Sequence, residues 1–316
     1  MSSLTRREVM AGAAAGALAG CAGRRGPEPL VSILRAASYS DDLLDRIRHI
    51  VTGHKLDVRG KRVVLKPNLV EFDPGTTINT HPAVVGAALE AFRSAGAADV
   101  RIAEGPGHRR NTLELAEAAG YFQAIPKFES LFTDLNLDEV SRVALPKAHS
   151  KIGSFYLPRT ALGCDLLVSM PKMKCHHWVG ATLSMKNLFG LVPGAVYGWP
   201  KNVLHWAGID DCIADLHGLF PRAFAIVDGI VGMEGNGPIQ GTPKPAGVLV
   251  GGSDLAAVDA TCCRIMRIDP AQLQYLRLVE DHGQTDEANV HQIGESISSV
   301  RTPFRLIDRF QTLRLL

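Results

Sequence analysis

The feature that most constrains the fold of this chain is a repeated exchange of strand-like and helix-like periodicity. "KRVVLKPN" (61–68) is a run of β-branched residues ending in a polar tip, and "NTHPAVVGAALEAFRSAG" (79–96) has helical spacing up to a glycine stop. Thr80 is expected to cap that helix, with proline in its first turn. "ADVRIAEGPG" (98–107) and "NTLELAEAAG" (111–120) repeat the pair, after an opening "VSILRAA" and "DDLLDRIRHIV". Alternation of this kind predicts an α/β fold: a mainly parallel sheet with helices on both faces.

The pattern resumes at "CDLLVSMPKMK" (164–174), a strand with a polar exit, followed by a short helix in "GATLSMKNLFG" (180–190). "LHWAGIDDCIADLHGLF" (204–220) predicts one long helix, and "AFAIVDGIVGMEGNGP" (223–238) a strand running into a glycine-rich loop. "AGVLVGGSDLAAVDATCCRIMRID" predicts strand, turn and a helix capped by Ser253 or Asp254; "DPAQLQYLRLVEDHG" predicts a final helix. Residues 125–160 lack clear periodicity and suggest a small irregular or antiparallel insert. The last thirty residues read as a peripheral addition.

The first residues, "MSSLTRREVMAGAAAGALAGCAG", have the layout of an export signal: a charged head at Arg6–Arg7, then a mild apolar run too short to span a bilayer. The arginine pair resembles a twin-arginine signal and "LAGC" a lipobox, with cleavage before Cys21 and lipid on that cysteine. The expected organisation is a signal peptide at 1–20, a lipid-anchor linker at 21–30 and a single α/β domain at 31–316. The expected location is the periplasm or the outer face of the cytoplasmic membrane, with the twin-arginine export machinery and the membrane as partners. A formal charge of +2 without basic blocks argues against nucleic acid. Five cysteines beyond Cys21, with no CxxC, exclude a dense disulfide scaffold and make an iron–sulfur cluster unexpected.

Open α/β sheets bind ligands beyond the C-terminal ends of their strands. Unusual polar residues fall at such ends here: Lys66 and Asn68, Glu104, Lys172, Lys174 and His176, then Asp228, Glu234 and Asn236. With Lys186 and Lys201 they offer cationic donors, and glycine turns offer N–H groups, a chemistry suited to phosphate or carboxylate. No dinucleotide fingerprint, Walker loop or GxSxG elbow occurs, and Ser184 is read as a packing residue. In "PKMKCHH" an extended backbone places Lys172, Lys174 and His176 on one face, and Cys175 and His177 on the other. A metal is the rival reading, and its ligands would be His81, His176 and His205.

"KPN", "HP" before a helix, "EG" after a strand, "PKMKCHH", "SMKNLFG", "KNVLH" and "VDGIVGMEGNGP", in this order across about residues 60–265, resemble the prokaryotic family called domain of unknown function 362. The resemblance implies recurring polar positions at Lys66, Asn68, His81, Glu104, Lys172, Lys174, His176, Lys186, Asn187, Lys201, His205, Asp228, Glu234 and Gly237. Some relatives carry a ferredoxin-type iron–sulfur module, and none is recognisable here. The leading expectation is an exported enzyme acting on a small anionic ligand. His176 or His205 would transfer a proton, Glu104 or Asp228 would orient it or act as base, and Lys186 would serve as base or covalent amine. A tethered binding protein without turnover and a metal-dependent enzyme are the alternatives; the cofactor stays open.

Overall fold

A computed structural model describes residues 28–145, 147–281 and 283–315. The expected signal peptide and Cys21 lie outside the described residues. The strands are β1 (Leu30–Arg35), β2 (Arg62–Pro67), β3 (Asp99–Glu104), β4 (Phe132–Asp134), β5 (Val140–Ala144) and β6 (Ser154–Pro158). They continue as β7 (Leu166–Met170), β8 (Lys172–His176), β9 (Gly180–Thr182), β10 (Phe224–Asn236), β11 (Gln240–Gly252) and β12 (His291–Gly294).

Ten of them form one sheet in the order β12-β1-β11-β10-β7-β2-β3-β4, with β8 and β9 joined beside β10. The pairs β10–β7, β7–β2, β2–β3 and β3–β4 are parallel, as are β12–β1 and β8–β10. The pairs β1–β11, β10–β11 and β8–β9 are antiparallel. The two-stranded antiparallel sheet β5–β6 is the small insert expected within 125–160.

Alternation along the central strands builds a core on each face. Val64, Ala225, Val227, Val248 and Val250 pack on one side with Ile213, Leu216, Val258 and Cys262 from the helices Ile209–Leu219 and Leu255–Ile265. Val63, Leu65, Phe224, Ile226 and Leu249 pack on the other with Ile47, Ile50, Val85 and Leu89. Those last four come from the helices Leu43–Gly53 and Pro82–Ser94, whose apolar residues recur at three- and four-residue spacing.

Several local expectations are corrected. His81, not Thr80, caps the helix Pro82–Ser94, its ring nitrogen accepting from the Ala83 N–H. Thr80 instead donates to the Met170 carbonyl and accepts from Asn68 N, tying β7 to the end of β2. The segment 204–220 is two helices, Asn202–Trp206 and Ile209–Leu219, parted at Gly208 with φ +106°. The expected final helix shrinks to Gln274–Arg277 after a 3-10 turn at Pro270–Gln272. The C-terminal segment is not peripheral, since β12 extends the main sheet and Phe304 is fully buried.

The expected glycine loop after β10 is also corrected, because its glycines lie inside a long hairpin with β11. A Cβ on Gly232 would stand 2.5 Å from the Met173 carbonyl, so the missing side chain gives β8 room to lie against β10. The first half of β10 pairs with β7 and its second half with β8. Only Pro171 separates β7 from β8, and its carbonyl accepts from Asp228 N. This jog delivers the "KMKCH" strand to the polar end of the sheet.

Candidate functional site

A cavity of about 350 Å³ opens beyond the ends of β2 and β3, between β8, the β10–β11 hairpin tip and the segments around 186–190 and 200–205. Ten residues singled out above line it: Lys66, Asn68, Glu104, Lys174, His176, Lys186, Asn187, Lys201, His205 and Asn236. Strand ends from distant parts of the chain therefore converge as the fold class predicts.

An ammonium has three N–H donors, and counting them separates the amines. Lys66 spends all three, on Glu104 Oε2 at 2.6 Å, Asn187 Oδ1 at 3.1 Å and the Pro67 carbonyl at 3.1 Å. Lys174 gives two, to the Ile78 and Pro238 carbonyls. Lys201 gives two, to the Gly105 and Phe189 carbonyls, and adopts a left-handed φ of +68° to reach them. Lys186 gives none: among the described residues its nitrogen has no hydrogen-bond acceptor and sits 3.8 Å from the centre of the Phe189 ring. One amine is free, two have one donor left, and one is fully engaged.

Burial pulls all four amines below their ordinary range. It is the largest effect at Lys66, where Glu104 opposes it, and at Lys174, where Lys172 and Lys186 add to it. Burial, reinforced by Lys66, brings Lys186 to about 7. Burial brings Lys201 to about 7 as well, against the pull of Glu104. Near neutral pH Lys186 and Lys201 are poised between ammonium and free base.

The imidazoles divide by their backbone contacts. His176 Nδ1 accepts from the N–H groups of Trp178 and Val179, so its proton sits on Nε2. His205 Nδ1 contacts the Lys201 carbonyl at 3.1 Å, and His177 Nδ1 the Gly237 carbonyl at 2.7 Å. A carbonyl only accepts, so both rings carry a proton on Nδ1, and His205, depressed as it is, holds a bare Nε2. Burial, reinforced by Lys186, depresses His205 to about 4, and burial holds His176 well below its usual value. The cavity thus has an imidazole that presents Nε2–H, His176, and one that presents a bare Nε2, His205. Asn68 Oδ1, His108 Nδ1 and Thr182 Oγ1, also along its wall, are buried without a hydrogen-bond partner among the described residues.

Glu104 is less free than a catalytic base would be. Its carboxylate accepts from Lys66, Gly105 N and Leu69 N and is 2% exposed. Asn187 bridges Lys66, the Lys66 carbonyl and Ser169 Oγ. Gly190 covers this group so closely that a Cβ there would fall 1.9 Å from Glu104 Oε1 and 2.3 Å from Lys66 Nζ. These residues brace the cavity floor.

Five sequence-selected residues do not line the cavity. Lys172 is bound to Asp228 Oδ2 at 2.6 Å and to Tyr39 OH at 2.8 Å. Asp228 is fully buried and also accepts from Tyr39 OH, His81 N and Ile230 N, so it acts as a clasp rather than a free base. His81 stacks on Tyr39 with ring centres 3.7 Å apart and lines, with Lys172, a separate cavity of about 150 Å³. His81 is therefore not beside His176 and His205, and among the described residues no three His, Cys, Asp or Glu side chains are grouped to hold a metal. Glu234 accepts from Arg305 N and lies 3.7 Å from Lys244. Gly237 packs against the Cys175 carbonyl, where a Cβ would approach to 2.0 Å.

The expectation that Lys172, Lys174 and His176 share one surface fails at Lys172, because β10 shifts register between Asp228 and Met233, the partners of Lys172 and Lys174. His177, expected to face away, lines the cavity with His176; β8 ends at His176, and alternation lapses in the turn that follows. Cys175 is buried on the opposite side, as alternation predicts. Sequence reasoning missed Trp178, Phe189, Tyr39 and Asp259. Trp178, half-exposed, lies edge-on to His205 with ring centres 4.7 Å apart. Asp259, pushed up to about 7 by burial against its Ser184 hydrogen bond, accepts from Ser184 N, Ser184 Oγ and Met185 N, just before Lys186. The adjacency of "HHW" was the only available signal for Trp178.

Fold and site together define an α/β protein with a lysine- and histidine-lined cavity. The chain matches the domain of unknown function DUF362 over residues 63–264 and belongs to that family. It is 30% identical over 269 residues to a thylakoid-associated protein of Synechocystis sp., covering 80% of this chain and 79% of the relative. It is similar to the lactate racemase apoprotein from Thermoanaerobacterium thermosaccharolyticum, at TM-score 0.48 and 16% identity, over 76% of this chain and 57% of that one. A Thermotoga maritima protein gives TM-score 0.46 and 14% identity, over 79% and 59% respectively. The chain spans less than two thirds of either solved structure.

Proposed function

We propose that the protein is an enzyme whose cavity binds a small carboxylate- or phosphate-bearing ligand and moves a proton on it. The observation that carries this reading is the donor inventory: Lys186 has no acceptor among the described residues, while Lys174 and Lys201, when protonated, each keep one N–H. Those donors and the Nε2–H of His176 suit an anion's oxygens. The bare Nε2 of His205 suits the proton-accepting role. Trp178, Phe189 and Ile239 supply apolar wall for the rest of a small molecule. Titration calorimetry with oxalate tests the binding half. The native protein is expected to bind, and Lys174→Met to weaken binding by about 10-fold or more through loss of a charge-assisted contact. Lack of oxalate binding by the native protein contradicts the reading.

We propose further that residues 1–20 export the chain and that Cys21 tethers it. The charged Arg6–Arg7 head and the "LAGC" run support this, and the description of the Synechocystis relative as thylakoid-associated accords with it. No helix among the described residues is long and apolar enough to cross a membrane. Fractionation of cells should place the cleaved protein with membranes and release a Cys21→Ala variant from them. An uncleaved chain in the cytoplasm would contradict the proposal.

A further inference from the structure

We infer that Lys186 forms a covalent imine with the carbonyl carbon of a small oxo acid, so that the ligand carries an aldehyde or ketone beside its anionic group. This rests on the anion-binding reading above and narrows the class of molecule that the cavity accepts. Three features converge on it. First, Lys186 Nζ has no hydrogen-bond acceptor in the described chain and lies over the Phe189 ring, 3.8 Å from its centre. Lys186 is half-buried, and no hydrogen bond to the described residues holds its nitrogen as an ammonium. A neutral amine with an available lone pair fits the place, and a lysine beside other cations in an apolar wall is the arrangement that makes such a nucleophile.

Second, the general base is already supplied by a group other than the amine. His205 holds a bare Nε2, and the His205 and Phe189 ring centres are 6.0 Å apart. Lys186 therefore adds what the imidazoles do not, a primary amine. Third, Lys174 and Lys201 line the same cavity with one unspent N–H each, which suits them to hold a carboxylate or phosphate attached to the reacting carbon.

The step balances without an oxidant or reductant. The Lys186 lone pair forms a C–N bond as the carbonyl π bond breaks, and a proton passes from nitrogen to oxygen through His205 Nε2 to give a carbinolamine. The C–O bond then breaks as the hydroxyl takes a proton from solvent, the oxygen leaves as water, and the nitrogen lone pair closes the C=N bond. The iminium N–H proton passes to His205 Nε2 and on to solvent, so the net products are an imine and one water.

Reductive trapping with glyoxylate and cyanoborohydride, followed by peptide mass spectrometry, tests the inference on the full chain. Near neutral pH the adduct at Lys186 should exceed that at exposed lysines such as Lys55 by about 10-fold or more, because an ordinary lysine is almost wholly protonated there. Excess oxalate should suppress it, and Lys186→Arg should abolish it without spreading label elsewhere. Label no greater at Lys186 than at surface lysines, with oxalate still bound, overturns the imine and leaves the anion site standing. Absence of both adduct and oxalate binding overturns the two together.

Discussion

Replacing Glu104 or Asp228 with alanine is expected to destabilise the protein by about 3–5 kcal/mol in urea unfolding, the usual consequence of leaving a buried charge without its partner. Lys66 and Lys172 are 0% and 1% exposed, and their carboxylates stand at 2.6 Å in both pairs. The carboxylates do more than neutralise. Glu104 also holds Gly105 N and Leu69 N, so it fixes the strand ends at the cavity floor. Asp228 gathers Tyr39, His81 N and Ile230 N around the bulge of β10.

In either variant the orphaned lysine escapes part of the penalty by losing its proton. The folded state then binds fewer protons than the unfolded one, so the loss should deepen as pH falls. The double replacement Lys172→Met/Asp228→Leu should recover only the part of the loss due to the orphaned ammonium, since Tyr39 OH, His81 N and Ile230 N still lose their acceptor. A loss below about 1 kcal/mol in the single variants would place these charges among ordinary solvated pairs.

Lys186→Met should do the opposite to stability while removing ligand capture. The amine falls from its ordinary 10.5 to about 7 through burial and the nearby Lys66. Between those values the folded state carries fewer protons than the unfolded chain, so this group makes stability rise with pH from about 7 upward. Its penalty is complete below about pH 7 and absent above the unfolded value. Methionine removes it, giving a gain of roughly 1–3 kcal/mol near neutrality and a flatter stability profile from about pH 7 to 10. Oxo-acid trapping should vanish in the same variant. A site that stores an unfavourable buried amine for its chemistry trades stability for function in this way. Equal or lower stability in Lys186→Met at neutral pH would mean that the amine is better accommodated than its missing acceptors imply.

Much of the architecture was legible from periodicity. β2, β3 and β7 and the helices between them follow from local patterns, because β-branched runs and three- and four-residue spacings report burial directly. The glycines of "GIVGMEGNG" were misleading for a physical reason. They meet the backbone of another strand rather than free a loop, and nothing nearby in sequence reveals that Met173 will lie 2.5 Å from a Cβ at Gly232.

The site was legible at the level of convergence and opaque at the level of role. Lys66, Lys172, Lys174 and Lys186 read alike in one dimension. Their division into brace, clasp, donor and free amine depends on partners such as Asn187, which is 121 residues from Lys66, and Tyr39, which is 133 from Lys172. His176 and His177 show the reverse, since a strict two-residue period separated side chains that the end of β8 brings to one wall.

The central claim is that buried amines poised near neutrality receive an anion, and the pH dependence of oxalate affinity tests it most directly. Oxalate stays doubly charged from about pH 6 to 9, so any change over that range belongs to the protein. Binding that restores the proton to Lys186 or Lys201 should be strongest below about pH 7 and weaken by up to about tenfold per unit above it, with proton uptake in calorimetry. Affinity unchanged across that range, or binding without proton uptake, would contradict the account.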